Sequence, residues 1–404
     1  MTLEPRRPWR GRRVLLGVSG GIAAYKSVQL ARDLARLGAE VDVVLTASAE
    51  AFVGALSFEG VTGRPVAAGL LAPGSALAHI RLAREADVVC VAPATADFLA
   101  RAATGRSDDL LGAVLLATRA PVLVCPAMND RMWSHPATLA NAETLRSALG
   151  YRLCGPAVGP LAFGEGEGEG RMEEPGVILE HIGRALEPAG PFTGRRVVVT
   201  AGPTREALDP VRFLSNRSTG RMGCALASAA WRRGAEVLLI HGPLAAPPPA
   251  GPETAEAPTA EAMLEAVRAA LPGADALVMA AAVADFRPAR PSDVKIKKAN
   301  GVDAVPLAAA PDILAETLDE RPAGLATLGF ALETDEGLDA ARGKLERKRL
   351  DLIALNTVGD GTAFEAATNR VTLLDREGGE ERLPLQSKHD TAEALLDRLA
   401  PFLA

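Results

Sequence analysis

A short segment in the first third of the chain combines residue types that can bind and orient a small molecule. Residues 125–133 read Cys-Pro-Ala-Met-Asn-Asp-Arg-Met-Trp and follow the apolar run 120–124, which predicts a buried strand. Asn129 therefore lies just past a strand end, where open α/β sheets bind ligands. Its side-chain amide both donates and accepts hydrogen bonds, so it can orient a carboxylate or the polar edge of a cofactor ring. The alternative is a loop with a turn-forming asparagine and core methionines.

A turn of small residues follows the first predicted strand. Residues 17–26 read Gly-Val-Ser-Gly-Gly-Ile-Ala-Ala-Tyr-Lys, which lets backbone N–H groups at a helix start approach a phosphate, with Ser19 as a further donor. The spacing is not that of the dinucleotide motif GxGxxG, and the second strand ends VVLTASAE, without the acidic residue that holds a ribose. The pattern favours a mononucleotide phosphate over NAD, with a tight turn that binds nothing as the alternative.

Further candidates for chemistry are spread along the chain. Residues 91–97 form another strand end with small and hydroxyl side chains, and His79 precedes that strand. A lone histidine is usually structural, but its pKa suits proton transfer near neutral pH. In the second half, cations come from Arg212, Arg217, Arg221 and the Lys-Ile-Lys-Lys cluster 295–298. They suit phosphate groups; for the lysine cluster, a solvated charged loop is the alternative.

Alternating strands and helices must position these residues. Strands are predicted at about 13–18, 41–46, 87–92 and 121–125, and again at about 196–201, 236–241, 275–281, 325–330 and 351–355. This rhythm predicts right-handed βαβ units and hence an α/β fold of two doubly wound, Rossmann-like domains with mostly parallel sheets. A hairpin is predicted around residues 378–379.

The proline- and glycine-rich stretch 187–194 predicts a boundary between domains 1–190 and 191–404. Residues 155–171 and 243–258 are predicted to be irregular loops, the first with a mobile lid as the alternative.

Length and composition limit the possible classes of protein. The chain has 404 residues, of which 48% are hydrophobic and 4% aromatic, and this length predicts two or three domains. A net charge of −6 argues against a general nucleic-acid binder. No apolar run reaches the roughly 20 residues of a membrane span, so we expect a cytoplasmic protein without a membrane partner.

The spacing of the four cysteines disfavours a disulfide framework or a structural zinc site. Cys90, Cys125 and Cys224 are expected to be small buried residues.

Taken in order, several strings over residues 11–390 resemble one family. They are GVSGGIAAYK, the His79 region, APATADFLAR, PAMNDRMW, VTAGPTREALDPVRFLSNRSTGRMG, AAAVADFRP, KIKK, PDIL and GFALET. The first half resembles flavin-containing cysteine decarboxylases. The whole chain resembles more closely the bifunctional coenzyme A biosynthesis proteins, which join a phosphopantothenoylcysteine decarboxylase to a phosphopantothenate–cysteine ligase.

The resemblance implies that residues 1–190 form a flavodoxin-like, FMN-dependent decarboxylase domain. His79 matches the catalytic histidine, and Asn129 matches the asparagine that binds the substrate carboxylate. In such enzymes the flavin oxidises the cysteinyl thiol, which makes loss of CO₂ feasible, and then returns the electrons. The residues implied in FMN binding are Ser19, Gly20, Gly21, Ile22, Thr46, Ala92 and Thr95.

Two strings depart from the family pattern. The lid of the family carries a cysteine, in a pattern resembling Ala-Cys-Gly-Asp, that protonates the enethiol product of decarboxylation. Here the lid reads Ala-Phe-Gly-Glu at residues 162–165, so Phe163 occupies that place. Cys154, nine residues earlier, is one candidate replacement and water is another. The family string Gly-x-Ala-Asn-Asp-Leu appears here as Gly-Arg-Ser-Asp-Asp-Leu at residues 105–110.

The resemblance implies that residues 191–404 form the ligase domain. Asn216 would hold the acyl carbonyl, and Lys295 would contact the nucleotide and assist attack. The other residues implied at the CTP site are Asp285, Pro311, Asp312, Ile313, Leu314, Phe330, Lys344 and Lys348. The implied chemistry is activation of the carboxylate as an acyl-cytidylate, release of pyrophosphate, and attack by the cysteine amine. Mg²⁺ is expected to offset the triphosphate charge, but its ligands are unknown.

The implied partners are 4′-phosphopantothenate, L-cysteine and CTP, in a homo-oligomer with trimeric decarboxylase and dimeric ligase domains. Two other classes compete. An NAD(P)-dependent oxidoreductase is disfavoured by the missing GxGxxG spacing. A non-catalytic flavoprotein that serves as a regulatory subunit is favoured by Phe163, whereas the presence of His79, Asn129 and Lys295 argues against it.

Overall fold

The computed structural model describes residues 7–67, 69–70, 77–187, 189–297, 304–333, 337–357 and 366–403 of the chain. Its contacts divide the chain into two compact units, Met1–Glu187 and Pro188–Ala404. None of the helices in the part of the chain that is described is long and apolar enough to cross a membrane.

The first unit alternates strands and helices. Its elements are β1 (Arg13–Val18), α1 (Ala24–Arg36), β2 (Glu40–Leu45), α2 (Ala55–Thr62), α3 (Ala78–Glu85), β3 (Val88–Ala94), α4 (Ala96–Ala103), α5 (Leu110–Ala117), β4 (Val122–Pro126), α6 (Asp130–Trp133), α7 (Pro136–Glu143), β5 (Arg152–Leu153), β6 (Ala157–Pro160), β7 (Glu167–Arg171) and α8 (Pro175–Leu186).

The main sheet of this unit is parallel, with the strand order β2-β1-β3-β4-β5. Alternate residues of β1 enter two separate cores, because successive side chains in a strand point to opposite faces. Leu16 packs with residues of α1, α2 and α8, whereas Leu15 packs with residues of α3, α4 and α5. The strand order is that of flavodoxin-like folds, in which the crevice opens between β1 and β3 at the carboxyl ends of the strands.

The glycine-rich stretch 155–171 is more regular than its composition predicts. β6 and β7 pair as an antiparallel hairpin, with Val158 opposite Glu169 and Pro160 opposite Glu167. The prediction of an irregular loop is therefore wrong for the two arms of this segment, and only the turn between them is irregular. Low complexity misleads here because the repeating Gly-Glu pair has the period of two that is typical of a β-strand.

The second unit has the same alternation. Its elements are β8 (Arg196–Ala201), β9 (Arg205–Ala207), β10 (Phe213–Ser215), α9 (Arg221–Arg232), β11 (Glu236–His241), β12 (Glu253–Glu256), α10 (Ala260–Ala270), β13 (Ala276–Met279), β14 (Phe286–Pro288), β15 (Leu307–Ala309), α11 (Ile313–Glu316), β16 (Ala326–Glu333), α12 (Leu338–Arg347), β17 (Leu352–Thr357), β18 (Thr368–Asn369), β19 (Val371–Asp375), β20 (Glu380–Arg382), β21 (Gln386–Ser387) and α13 (Lys388–Leu399).

The large sheet of this unit has the order β12-β11-β8-β13-β16-β17-β19-β20. It is parallel from β12 to β17 and ends in the antiparallel hairpin β19–β20, as the sequence predicts. α9 and α13 pack on one face, and α10, α11 and α12 pack on the other. The two doubly wound, mostly parallel sheets confirm the predicted fold class.

Candidate active sites

Three loops meet at the carboxyl edge of the first sheet. The Ser19 hydroxyl donates to the carbonyl oxygen of Pro93 over 2.8 Å and accepts from the backbone nitrogen of Thr95 over 3.0 Å. In the neighbouring loop, the Thr46 hydroxyl accepts from the backbone nitrogen of Ala49 over 3.3 Å. The fold thus brings the turn after β1 next to the end of β3, where it also holds Ala92 as a buried residue of that strand.

Backbone forms the floor of this crevice. A Cβ atom at Gly20 would lie 2.3 Å from the Cβ of Ser48 and 2.6 Å from its carbonyl carbon, so this position accepts only glycine. A Cβ at Gly21 would meet Thr95 at the ordinary distance of 3.5 Å. Ile22, the next residue, is 68% exposed. A pair of glycines just before a helix start lets a phosphate approach the backbone, so the crevice is compatible with the phosphate end of FMN.

His79 lies in the first turn of α3, the helix that leads into β3. Its Nδ1 is buried and has no hydrogen-bond partner within the described part of the chain. Because buried polar atoms in folded proteins are almost always paired, this nitrogen is a candidate for contact with a ligand. That property fits a group that exchanges a proton with a substrate.

Asn129 caps the short helix α6. Its side-chain oxygen accepts from the backbone nitrogen of Arg131 over 2.9 Å. This bond directs the oxygen toward the helix, so the amide nitrogen is the group that can donate to a carboxylate. The geometry suits the role that the resemblance implies for Asn129.

Strand β7 of this hairpin lies against the loop that carries Asn129. The backbone nitrogen of Met128 donates to the carbonyl oxygen of Gly170 over 2.9 Å. A Cβ at Gly170 would lie 2.3 Å from the Met128 carbonyl oxygen, and one at Gly168 would lie 2.7 Å from the Cβ of Asp130. Glycine at every second position of β7 therefore allows the strand to pack on this loop.

Phe163 and Cys154 occupy different environments. Phe163 lies in the turn of the β6–β7 hairpin and is fully exposed, whereas Cys154 is 2% exposed and packs in the core with Cys90 and Cys125. A hydrogen bond from the Cys125 thiol, aided by His181, lowers the pKa of Cys154 to about 6, although burial opposes this shift. The structure does not bring Cys154 to the tip of the hairpin.

The remaining cysteines have free thiols, and Cys224 is half-buried, less enclosed than the sequence predicts.

Residues 105–110, which depart from the family pattern, still stabilise the start of a helix. Asp109 caps α5 by accepting from the backbone nitrogen of Gly112 over 2.7 Å. Arg101 donates to Asp109 over 2.7 Å and to Asp97 over 3.0 Å, which ties α4 to this loop. The substitutions in this string therefore preserve the cap at the start of α5.

In the second unit, a cavity of about 550 Å³ opens at the carboxyl edge of the sheet. Its lining includes all of the ligase residues implied by the resemblance except Lys295: Asn216, Asp285, Pro311, Asp312, Ile313, Leu314, Phe330, Lys344 and Lys348. They come from the loops and strands that follow β10, β13 and β15, from β16, and from α12 and its end. Residues more than 100 positions apart thus converge on one space.

One wall of this cavity carries an ion pair. The Lys348 ammonium contacts the Asp312 carboxylate at 2.7 and 2.8 Å. Burial by itself raises the pKa of Asp312, but the hydrogen bond and the charge of Lys348 outweigh it, so the pKa is lowered. One turn earlier in α12, Lys344 donates to the carbonyl oxygen of Phe330 over 2.8 Å. The two lysines face the same wall, as their spacing of four predicts.

Asn216 is held against the loop after β13. Its amide nitrogen donates to the carbonyl oxygens of Ala282 and Val283, both at 3.1 Å. To donate to an acyl oxygen, the amide must exchange one of these bonds for a bond to the substrate.

Lys295 is exposed and does not line the cavity. Its loop is anchored by the next residue, because the backbone nitrogen of Ile296 donates to Asp209 over 3.1 Å and Arg212 donates to the Ile296 carbonyl over 2.8 Å. A hydrogen bond from Arg212 holds the pKa of Asp209 well below its usual range. Arg212 therefore anchors the loop that carries Lys295. Arg217 is exposed to solvent. Lys298 lies outside the described residues.

Sequence reasoning missed several polar residues of this cavity, among them Asn356, Asn369 and Lys388. Lys388 is only 6% exposed, and burial together with the charge of Arg221 lowers its pKa to about 8. No local string marks it, because it is the first residue of an ordinary amphipathic helix. Only the packing of α13 beside α9 brings it to the cavity.

Among the described residues, no group of three or more His, Cys, Asp or Glu side chains is arranged to hold a metal ion.

Comparisons with known proteins agree with the two-unit division. The family described as Flavoprotein matches residues 2–187, and the family described as DNA/pantothenate metabolism flavoprotein C-terminal domain matches residues 192–402. The chain is 46% identical over 408 residues to the coenzyme A biosynthesis bifunctional protein CoaBC of Mycobacterium tuberculosis (strain ATCC 25618 / H37Rv), covering 97% of each chain. It is 44% identical to the protein of the same name from Vibrio vulnificus (strain CMCP6), covering 97% of this chain and 98% of the other.

A solved structure, the C-terminal domain of a coenzyme A biosynthesis bifunctional protein CoaBC, is similar with a TM-score of 0.46 and 34% identity. That similarity covers 53% of this chain and 98% of the other.

The fold and the matched families define an α/β protein of two units, the first of which is a flavoprotein unit. The chain belongs to the family of coenzyme A biosynthesis bifunctional proteins. It is a bifunctional enzyme of coenzyme A biosynthesis, with a decarboxylase part and a ligase part. The resemblance inferred from the sequence motifs is thereby confirmed.

Proposed function

We propose that residues 191–404 join L-cysteine to 4′-phosphopantothenate with CTP, and that residues 1–190 decarboxylate the product to 4′-phosphopantetheine with FMN. The observation that carries the ligase half is the cavity of the second unit, which gathers every implied CTP-site residue apart from Lys295. The decarboxylase half is supported by the glycine pair at Gly20 and Gly21, and by the buried Nδ1 of His79, which has no hydrogen-bond partner among the described residues.

In the ligase reaction, the residues of the cavity bind and orient. Lys344 and Lys348 supply positive charge on one wall, and Asp312 fixes the position of Lys348. Asn216 contacts the acyl oxygen after it gives up a bond to Ala282 or Val283. Lys295 lies outside the cavity lining, in a loop that is anchored at Asp209. Its side chain must therefore reach into the cavity from that loop.

In the decarboxylase reaction, Ser19, Gly20, Gly21, Ile22, Thr46, Ala92 and Thr95 hold FMN. When bound, FMN supplies a two-electron acceptor and donor, which makes the loss of CO₂ from the cysteinyl group feasible. The amide nitrogen of Asn129 binds the substrate carboxylate, because its oxygen is already engaged with Arg131. His79 exchanges a proton at Nδ1, the nitrogen without a partner in the described protein.

Two further features belong to this proposal. Mg²⁺ arrives with CTP and is held mainly by its phosphates, as is usual for this ion. The chain self-associates, with trimeric decarboxylase and dimeric ligase units. Self-association is supported by large apolar side chains at the surface of the first unit, where Ile22, Tyr25 and Leu56 are 68%, 63% and 81% exposed.

The experiment that tests both halves uses the purified full chain. It is incubated with 4′-phosphopantothenate, cysteine, CTP and Mg²⁺, and the products are followed by mass. We expect phosphopantothenoylcysteine to form first. This product should then lose about 44 mass units, the mass of one CO₂, through the flavin-dependent decarboxylation. ATP in place of CTP is expected to support less product. A protein that forms neither product, or that releases a dinucleotide rather than FMN on acid treatment, would refute the assignment.

A further inference from the structure

One wall of the cavity in the second unit is made from the ends of two helices. Asp312 precedes α11, and its carboxylate contacts the ammonium group of Lys348, at the carboxyl end of α12, at 2.7 and 2.8 Å. Behind this pair, both helices approach β16 at Gly329. A Cβ atom at Gly329 would lie 2.6 Å from Cδ1 of Leu350 and 3.7 Å from Cδ1 of Leu314. The strand therefore lacks a side chain where the two helix ends meet.

A single guanidinium group joins the same two helix ends. Arg321 lies in the connection that leads into β16. It donates from one Nη atom to the carbonyl oxygen of Lys348 over 2.8 Å, and from the other to that of Leu314. Carbonyl oxygens in the last turn of a helix have no partner within the helix, so an outside donor stabilises them. The dipole of α12 also favours a cation at its carboxyl end.

Packing alone does not account for an arginine at this position. Its Nε is buried and has no hydrogen-bond partner in the described part of the chain. Burial lowers the pKa of Arg321, and the carboxylates of Asp351 and Asp312 favour its charge only from a distance. An apolar side chain would fill this space without the cost of burying a charge. The bonds to the two carbonyl oxygens are the interactions that an apolar residue could not make.

The chain reverses sharply after α12, and Arg321 helps to hold this reversal. Arg349 follows Lys348 and has a φ of +45°, in the left-handed region that favours glycine. The backbone nitrogen of Leu350 donates back to the carbonyl oxygen of Leu345 over 2.9 Å. A non-glycine residue keeps such a conformation only where its surroundings impose it. The bond from Arg321 to the Lys348 carbonyl oxygen is one of these restraints.

We propose that Arg321 is a positioning residue of the ligase, which holds the ends of α11 and α12 together so that Asp312 and Lys348 meet in the cavity wall. Arg321 lies outside the lining of this cavity, so it acts through the backbone of the two helix ends. The inference rests on the proposed ligase function. It adds a residue behind the cavity on which the geometry of the nucleotide wall depends.

The surroundings of Arg321 allow this role to be tested by chemical rescue. The residue lines a second cavity, of about 470 Å³, together with Thr327 and Phe402. Shortening Arg321 to alanine extends that cavity toward the carbonyl oxygens of Leu314 and Lys348. A free guanidinium ion has the same planar set of donors as the arginine side chain. It can therefore restore the two bonds that Arg321→Ala removes.

The test measures ligase kinetics of the full chain for Arg321→Ala, with and without millimolar guanidinium, and for Arg321→Lys. We expect the KM of CTP in Arg321→Ala to rise about 10-fold, as for the loss of one hydrogen bond to a charged group. The KM of cysteine should not change. Guanidinium should restore the KM of CTP, whereas urea at the same concentration should not. Arg321→Lys should recover part of the loss, because an ammonium group lacks the planar fork that reaches both carbonyls.

Leu399→Val is the control for lost stability. Leu399 is fully buried in the core on the opposite face of the sheet, and its truncation leaves a small void there. We expect this variant to have the wild-type KM for CTP and no response to guanidinium. A rise of the same size in Leu399→Val would overturn the proposal, and so would an unchanged KM for CTP in Arg321→Ala or equal rises for CTP and cysteine.

Amide hydrogen exchange separates this inference from the ligase function. Arg321→Ala should speed exchange of the backbone N–H groups of Lys348 and Leu350, which close the last turn of α12, and guanidinium should slow it again. A wild-type chain without ligase activity would refute the ligase function itself. In that case, equal exchange at these two groups in the wild type and Arg321→Ala would still decide against the positioning role.

Discussion

The carbonyl oxygen of Gly170 accepts a hydrogen bond from the backbone nitrogen of Met128, and no side chain fits between the two segments. This contact docks the β6–β7 hairpin on the loop that carries Asn129. The Gly-Glu alternation of β7 follows from it, because glycines at every second position of the strand face the loop. The hairpin thus forms a wall of the candidate decarboxylase site.

Replacement of Gly170 by alanine should separate the hairpin from this loop. The new Cβ would lie 2.3 Å from the Met128 carbonyl oxygen, so the strand must shift. A displacement of about 1 Å at a catalytic loop can lower the rate about 100-fold, and we expect a loss of about 10- to 100-fold in decarboxylation. Flavin absorbance should be retained. Gly176→Ala is the matched control, since a Cβ there meets nothing within 4 Å; equal rates in the two variants would contradict the docking role.

Gly20→Ala should weaken flavin binding. The added methyl group would overlap Ser48, including its backbone, so the turn after β1 must move away from the loop after β2. We expect the dissociation constant for FMN to rise at least about 10-fold, as for the loss of one charge-assisted hydrogen bond to the phosphate. The measurement is titration of the flavin-free protein by fluorescence. Gly60→Ala, which meets nothing within 4 Å in α2, should bind FMN normally; a similar loss there would show a general effect on folding.

The sequence predicts those structural features that are determined by residues close together in the chain. The alternation of strands and helices predicts the parallel sheets. The turn of small residues at Gly20 can be recognised directly in the sequence. Lys388 could not be predicted, because its burial depends on α13 packing beside α9, more than 150 residues away in the chain. The hairpin at 157–171 was missed for a related reason. Its glycines are explained by contact with Met128 and Asp130, and not by flexibility.

The lid residue Phe163 allows a direct test of proton donation. Its side chain has no exchangeable proton and is fully exposed at the hairpin turn, so we expect water to protonate the enethiol and phosphopantetheine to form slowly. Phe163→Cys should accelerate the appearance of phosphopantetheine about 10-fold or more, within the usual range for a positioned acid.

Cys154→Ser should leave product formation unchanged, because Cys154 is buried against Cys125 in the core. Mass analysis distinguishes the enethiol from the reduced product by two hydrogens. Accumulation of the enethiol in Cys154→Ser would instead identify Cys154 as the donor.

Asn216→Asp and Lys295→Gln should stall ligation without changing the flavin content. Asn216→Asp replaces an amide donor by a carboxylate next to the carbonyl oxygens of Ala282 and Val283, which repel it. We expect each variant to lower the ligase rate by about 100-fold, comparable to the loss of one preorganised donor in a catalytic site. Normal turnover in Lys295→Gln would remove that residue from the mechanism, and loss of flavin in either variant would contradict the division of the two activities between units.

Lys388 should make the stability of the folded protein depend on pH. Its pKa is lowered to about 8 by burial and by Arg221. The unfolded chain therefore binds this proton more tightly, and stability must rise as the pH increases from about 8 toward the ordinary lysine pKa of about 10.4. At pH 7 the buried charge is fully destabilising, so Lys388→Met should raise the free energy of unfolding by about 1 kcal/mol, a value reduced for solvent access to the cavity.

Denaturant unfolding at pH 7 and at pH 10 measures this effect. At pH 10 the wild-type lysine is mostly neutral in the folded protein, so Lys388→Met should lose most of its advantage there. An advantage of the same size at both pH values would show that the charge of Lys388 is not its source.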